Sequence, residues 1–152
     1  RSSMTLIGSE IGAMGMGIPA GVAAALRFPN RQVFSIVGDG GALMTGSELA
    51  TAVAKNAKMI VIVANNQHYG TIRYHQEVHF PTRDHYATNL VNPDFAKYGE
   101  SFGLKCFTIE KIEEILPAIQ AAMDVNGPSL IEFKMSLELN TSTTTITQLQ
   151  MN

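Results

Sequence analysis

The sequence holds a single cysteine, Cys106, so no internal disulfide can form, and without a CxxC pair there is no thiolate set for zinc. That scarcity suits a reducing compartment and predicts a cytoplasmic protein. No run of Lys and Arg occurs and the formal charge is -2, so nothing draws a phosphate backbone over a broad surface, and nucleic acid is not an expected partner. The longest apolar stretches, such as residues 59–64, are far too short to span a bilayer. The first residues lack a basic segment followed by an apolar one, so no export or membrane signal is expected. Gly-Lys-Ser/Thr is absent too, which excludes a P-loop nucleotide binder.

What is present is apolar: 45% of 152 residues, enough to bury one sizeable core, and one domain is the expected count. Runs rich in β-branched and apolar residues predict strands at 32–37, 59–64, 105–109 and 129–134. Helical periodicity between them predicts helices at 18–27, 47–56, 93–102 and 112–123. Strand and helix alternate, which implies right-handed βαβ units and a doubly wound α/β domain, its mostly parallel sheet covered by helices on both faces. Near-continuous apolar strands agree with that burial. Thr45-Gly46-Ser47-Glu48 fits a capping box, and Asn92-Pro93 fits an N-cap followed by proline at the first helical position.

Residues 67–91 hold all four histidines without a clean period and read as a long functional loop. The chain opens on a Gly/Met-rich segment with only Met4-Thr5-Leu6-Ile7 available as a strand to aim it, which predicts a piece of a longer protein. Residues 1–140 are expected to form the domain, and 141–152, starting with a hydroxyl-rich run, an extended tail.

In open parallel sheets, ligands bind outside the carboxyl ends of the strands. Two of those ends are polar: Gly38-Asp39-Gly40-Gly41 after the first strand and Asn65-Asn66 after the second. Asp39 offers a hard anionic oxygen and Asn66 a neutral one, the donor set that magnesium accepts while leaving positions for phosphate oxygens and water. Glycines at 38, 40 and 41 let the backbone turn and bring its N–H groups close to an anion, a seat for a diphosphate.

The Gly38-Asp39-Gly40 start, the Asn65-Asn66 finish and the intervening length resemble the signature of thiamine diphosphate enzymes. The likeness runs over nearly the whole chain and is closest to the cofactor-binding C-terminal domain of the acetolactate synthase, pyruvate oxidase and 2-oxo acid decarboxylase group. It implies that Asp39, the Asn66 side chain and the main-chain carbonyl of His68 bind Mg2+, while backbone groups of Gly38, Gly40, Gly41, Tyr69 and Gly70 meet the diphosphate. Gly12-Ala13-Met14-Gly15-Met16-Gly17-Ile18-Pro19 resembles the family loop in which Met14 wedges between the cofactor's rings and the Gly12 carbonyl orients the pyrimidine amino group. The resulting bend would make proton removal intramolecular.

The resemblance also implies that the catalytic glutamate lies on a pyrimidine-binding domain of a neighbouring subunit. This chain lacks that domain and the family's middle domain, so a homo-oligomeric parent enzyme and an inactive isolated chain are expected. Thr71, Ile72 and His75 match positions facing a small 2-oxo acid substrate. Acetolactate synthases usually carry tryptophan where His75 stands, and the sequence has none, a departure that bears on which reaction the parent performs.

Other readings stand beside these. Asp39 next to glycine is also a common turn residue, and Met14 and Met16 are also ordinary core residues. His75 and His79 have the spacing of some zinc ligands but no third partner, so exposed loop histidines are expected. Arg73 and Arg83 suit either a carboxylate clamp or a solvated loop. Cys106 reads as a small buried hydrophobe without chemistry. Gly15 to Gly21 also resembles part of a dinucleotide-binding fingerprint, although Pro19 and the missing lead-in strand depart from it. A non-catalytic assembly domain is the third alternative.

Overall fold

A computed structural model describes residues 12–80, 83–138 and 145–150. Four parallel strands lie in the order β1-β2-β4-β3: β1 Val33–Gly38, β2 Met59–Asn65, β3 Lys105–Ile109 and β4 Ser129–Lys134. The helices are α1 Gly17–Arg27, α2 Asp39–Thr45, α3 Glu48–Ala54, α4 Gly70–His79, α5 Phe95–Ser101, α6 Ile115–Met123 and α7 Ile146–Gln150. A 3₁₀ turn, Ile112–Glu114, leads into α6.

The alternation along β2 divides the core. Met59, Val61 and Val63 face one side with Ile18 and Val22 of α1, Leu49 of α3 and Phe95 of α5. Ile60 faces the other, with Ile109, Ile131 and Ala118 and Ala122 of α6. The chain crosses the sheet one way from β1 to β2 and the opposite way from β3 to β4. Right-handed crossovers therefore put α3 and α6 on opposite faces, as the two clusters record. This is the doubly wound, two-faced α/β arrangement expected from the sequence.

Local differences have identifiable causes. The Thr45–Glu48 capping box does not form: Thr45 closes α2 and its hydroxyl donates to the Gly15 carbonyl at 2.6 Å, while Ser47 precedes α3 without a side-chain cap. Gly46 lies between these two short helices, and a Cβ there would lie 2.5 Å from Tyr98 Oη. The cap of α5 is Asp94, not Asn92; it accepts from Lys97 N at 2.9 Å, and that bond holds the Asp94 carboxyl below its ordinary range.

Residues 67–91 are not one loop, since α4 occupies ten of them. The strand expected at Met4–Ile7 and residues 141–144 and 151–152 of the tail lie outside the described residues. Residues 146–150 are helical rather than extended, and α7 packs on α4 with Ile146 buried.

Candidate functional site

Gly38 of β1 pairs with Ala64 of β2, so Asp39, which leaves the sheet, and Asn65, the last residue of β2, lie side by side. Asp39 is 2% exposed, and its carboxylate accepts three bonds: Oδ1 from Gly40 N at 2.8 Å, Oδ2 from Gln67 N and from Asn92 Nδ2 at 2.7 Å each. A carboxylate has about four lone-pair directions, so one, on Oδ1, is left over. All three donors are neutral, and none of the ion pairs among the described residues includes Asp39. A buried anionic oxygen held by neutral dipoles alone lacks a counter-charge, and a cation supplies one.

The adjacent strand end is equally ordered. Asn65 is buried; its Oδ1 accepts from Asn92 Nδ2 at 2.8 Å and Gln67 N at 3.3 Å, and its Nδ2 donates to Glu132 Oε1 at 2.8 Å. Asn66 is half-buried, and its Oδ1 accepts only a long bond from His68 N, 3.3 Å. His68 Nδ1 lies 2.7 Å from the Asn66 carbonyl, which can only accept, so that ring nitrogen carries the proton. An isolated antiparallel bridge, His68 with Asn89, ties this corner to the returning chain through bonds from Tyr69 N to Thr88 O and from Leu90 N to Gln67 O.

Two contacts fix the glycine-rich segments against this corner. A Cβ on Gly40 would fall 2.4 Å from the Tyr69 ring, so only glycine lets Tyr69, just before α4, lie over the start of α2. Gly15, at φ +87°, turns the 12–17 loop against Met44 and Thr45, and a Cβ on Gly41 would meet Gly15 N at 3.6 Å. Gly12 is also left-handed at φ +65°. Met14 is 48% exposed on that loop, which removes the reading of it as core. Gly38 is open, since a Cβ there would meet nothing within 4 Å, and Gly70 opens α4, whose preceding residue Tyr69 makes no side-chain cap.

Thr71, Ile72 and His75 are exposed on α4, on the same element that begins at the corner. His75 stacks on His79 with ring centroids 5.6 Å apart; among the described residues no group of three or more His, Cys, Asp or Glu could hold a metal. Arg73 is not a solvated loop residue: it is buried and its Nε meets Glu77 Oε1 at 2.5 Å one helical turn on. Arg83 stays exposed, its guanidinium 5.8 Å from the Phe80 ring centroid. Cys106 is half-buried, and burial pushes its thiol up to about 11, a state poor in nucleophilic thiolate. No described helix is long and apolar enough to cross a membrane.

The structure thus brings together Asp39, Asn66, His68, Tyr69, Gly40 and the Gly15 loop. Two members of the corner are absent from the sequence expectations, which place Asn92 at a helix cap and Glu132 in a strand. A signal for Glu132 exists: a lone acid inside Ser129-Leu130-Ile131-Glu132-Phe133 is out of character for a buried strand.

Comparison with known proteins adds independent support. Residues 2–133 match the family described as thiamine pyrophosphate enzyme, C-terminal TPP binding domain. The chain is 33% identical over 132 residues to the acetolactate synthase large subunit of Pyropia yezoensis, covering 86% of this chain and 22% of that protein. To the pyruvate oxidase of Lactiplantibacillus plantarum it is 36% identical over 121 residues, 78% of this chain and 20% of that one. Among solved structures it matches the thiamine diphosphate-dependent 4-hydroxybenzoylformate decarboxylase of Rhodococcus jostii RHA1 with a TM-score of 0.78 and 28% identity, over 83% of this chain and 24% of that one. The chain therefore spans between a fifth and a quarter of these relatives' length. With the GDG and NN strand ends meeting at one corner of a doubly wound sheet, the chain belongs to the thiamine pyrophosphate enzyme family, as its C-terminal cofactor-binding domain.

Proposed function

We propose that this chain holds thiamine diphosphate through Mg2+ at the Asp39–Asn66 corner, as the cofactor domain of an enzyme acting on small 2-oxo acids by decarboxylation or carboligation. The observation that carries the metal assignment is the Asp39 carboxylate: buried, held by three N–H donors, outside the ion pairs among the described residues, and with one lone pair left on Oδ1. Magnesium is a hard cation that takes such oxygens. Asn66 Oδ1 and the His68 carbonyl would complete the protein's share of ligands.

The remaining residues of the site position and exclude. Backbone groups of Gly38, Gly40, Gly41, Tyr69 and Gly70 would meet the diphosphate, and glycine at 40 lets the Tyr69 ring lie close. Met14, exposed on a loop anchored by Gly15 and Thr45, would meet the cofactor's rings, with the Gly12 carbonyl beside the pyrimidine. When bound, thiamine diphosphate supplies a carbon nucleophile and an electron sink for breaking or forming the bond beside a 2-oxo acid's carbonyl. Thr71, Ile72 and His75 would face that substrate from α4. The catalytic glutamate would come from the pyrimidine-binding domain of a neighbouring subunit in a homo-oligomer, in the cytoplasmic setting that a free Cys106 suits.

Calorimetric titration tests this. Thiamine diphosphate should bind the chain only with Mg2+, and Asp39→Ala should abolish that Mg2+-dependent binding. Tight NAD binding that ignores Mg2+ would overturn the reading in favour of a dinucleotide module.

A further inference from the structure

Glu132 is 1% exposed in the middle of the sheet, on β4 beside β2; among the described residues its carboxylate has one hydrogen-bond partner, Asn65 Nδ2 at 2.8 Å, and Oε2 has none. An apolar side chain at this point would avoid the cost of burying a carboxyl group. What the acid does that an apolar residue cannot is choose the orientation of an amide. Asn65 can present either its oxygen or its NH2 in a given direction. Glu132 Oε1 accepts from Nδ2, and with Nδ2 turned to it Oδ1 faces the other way.

On that other side Asn65 Oδ1 meets two donors, Gln67 N at 3.3 Å and Asn92 Nδ2 at 2.8 Å. A flipped amide would put donors against donors there and an oxygen against the carboxylate. Asn92 Nδ2 has two hydrogens: one goes to Asn65 Oδ1 and the other to Asp39 Oδ2 at 2.7 Å. Gln67 N likewise bonds Asp39 Oδ2, at 2.7 Å. A continuous chain of bonds thus runs from the sheet interior to Asp39, through Glu132, Asn65 and Asn92.

We propose that Glu132 is a positioning residue for Asp39: it sets the Asn65 amide, which sets Asn92, and Asn92 with Gln67 N turns Asp39 so that Oδ1 keeps its free lone pair toward the metal. This rests on the Mg2+ reading of Asp39, which the test separates. Groups that orient metal ligands typically change metal affinity by about ten- to hundred-fold when removed. Glu132→Leu should therefore raise the Mg2+ concentration needed for thiamine diphosphate binding by about ten-fold or more. Glu132→Gln, whose Oε1 can still accept from Asn65 Nδ2, should stay within about three-fold of the native chain, less than one lost hydrogen bond.

The cofactor-independent readout is the side-chain amide resonances of Asn65 and Asn92 by NMR on the full chain. They should be slow to exchange in the native protein and in Glu132→Gln, and shifted and fast in Glu132→Leu. If Glu132→Leu fails to fold, Asn92→Ala, on a surface loop, breaks the same relay one step later and should show the same loss of Mg2+ affinity. Native affinity in Glu132→Leu or in Asn92→Ala would overturn the proposal, as would equal losses in Glu132→Leu and Glu132→Gln. If the native chain shows no Mg2+-dependent binding, the proposed function falls. The NMR result then decides the positioning of Asn65 and Asn92 on its own: unmoved resonances in Glu132→Leu overturn it, and moved ones that Glu132→Gln restores support it.

Discussion

At the scale of single residues the site depends on one missing side chain. Gly40 has no Cβ, and the Tyr69 ring lies 2.4 Å from where one would stand. Gly40→Ala must push Tyr69 away or shift α2. Overpacking of that kind costs about 1–3 kcal/mol, which urea unfolding should read directly. Combining it with Tyr69→Ala should return part of the loss, because the clash is with the ring itself.

Cys106 gives a second test at this scale. Its thiol rises from 9.0 to about 11 because burial disfavours the thiolate. A raised acid pKa means that the folded chain keeps a proton which the unfolded chain loses first. The contribution is complete below pH 9 and is lost as pH climbs toward 11. Stability should decline over that window, and Cys106→Ala should flatten this part of the profile. Alkylation by iodoacetamide at neutral pH should be slower than for a free thiol.

Among elements, α4 carries the most consequence, since it begins at the corner, presents Thr71, Ile72 and His75, and receives α7. Arg73 and Glu77 form a buried pair on it. Removing one partner of a buried pair is costly, so Arg73→Ala should destabilise the chain by up to about 3–5 kcal/mol. Replacing both, as Arg73→Met with Glu77→Leu, should cost clearly less than the two single changes together, a coupling that a double-mutant cycle in urea would measure.

This helix is also the least legible part of the sequence. Gly-Thr-Ile-Arg-Tyr-His-Gln-Glu-Val-His buries a charged pair rather than an apolar stripe, so hydrophobic periodicity has nothing to register. α2 escapes for another reason: it is seven residues long and runs almost into α3, with only Gly46 and Ser47 between them. The four strands are legible because their apolar runs are contiguous. Asp39 and Asn66 are legible because each closely follows such a run. Asn92 is not, and Glu132 shows only as a lone acid in an apolar strand, because their roles exist only once β2, β4 and the 87–94 segment meet.

For the whole molecule, the family assignment covers residues 2–133, while the chain spans a fifth to a quarter of its relatives. The family assignment covers cofactor binding by this chain; turnover by a larger assembly is part of the proposal. Ligand that binds only the folded state stabilises it by mass action, by about 2.7 kcal/mol at a hundred-fold excess over Kd. Mg2+ with thiamine diphosphate at that level should raise Tm by about 5–10 °C for a chain of this size, and neither alone should do so.

The most direct measurement is to locate the metal. In crystals grown with thiamine diphosphate and Mn2+ in place of Mg2+, the anomalous difference map should show one peak bonded to Asp39 Oδ1 and Asn66 Oδ1, at about 2.0–2.3 Å. A well-occupied cofactor with no peak at that corner, or with its metal held elsewhere, such as at His75 and His79, would contradict the account.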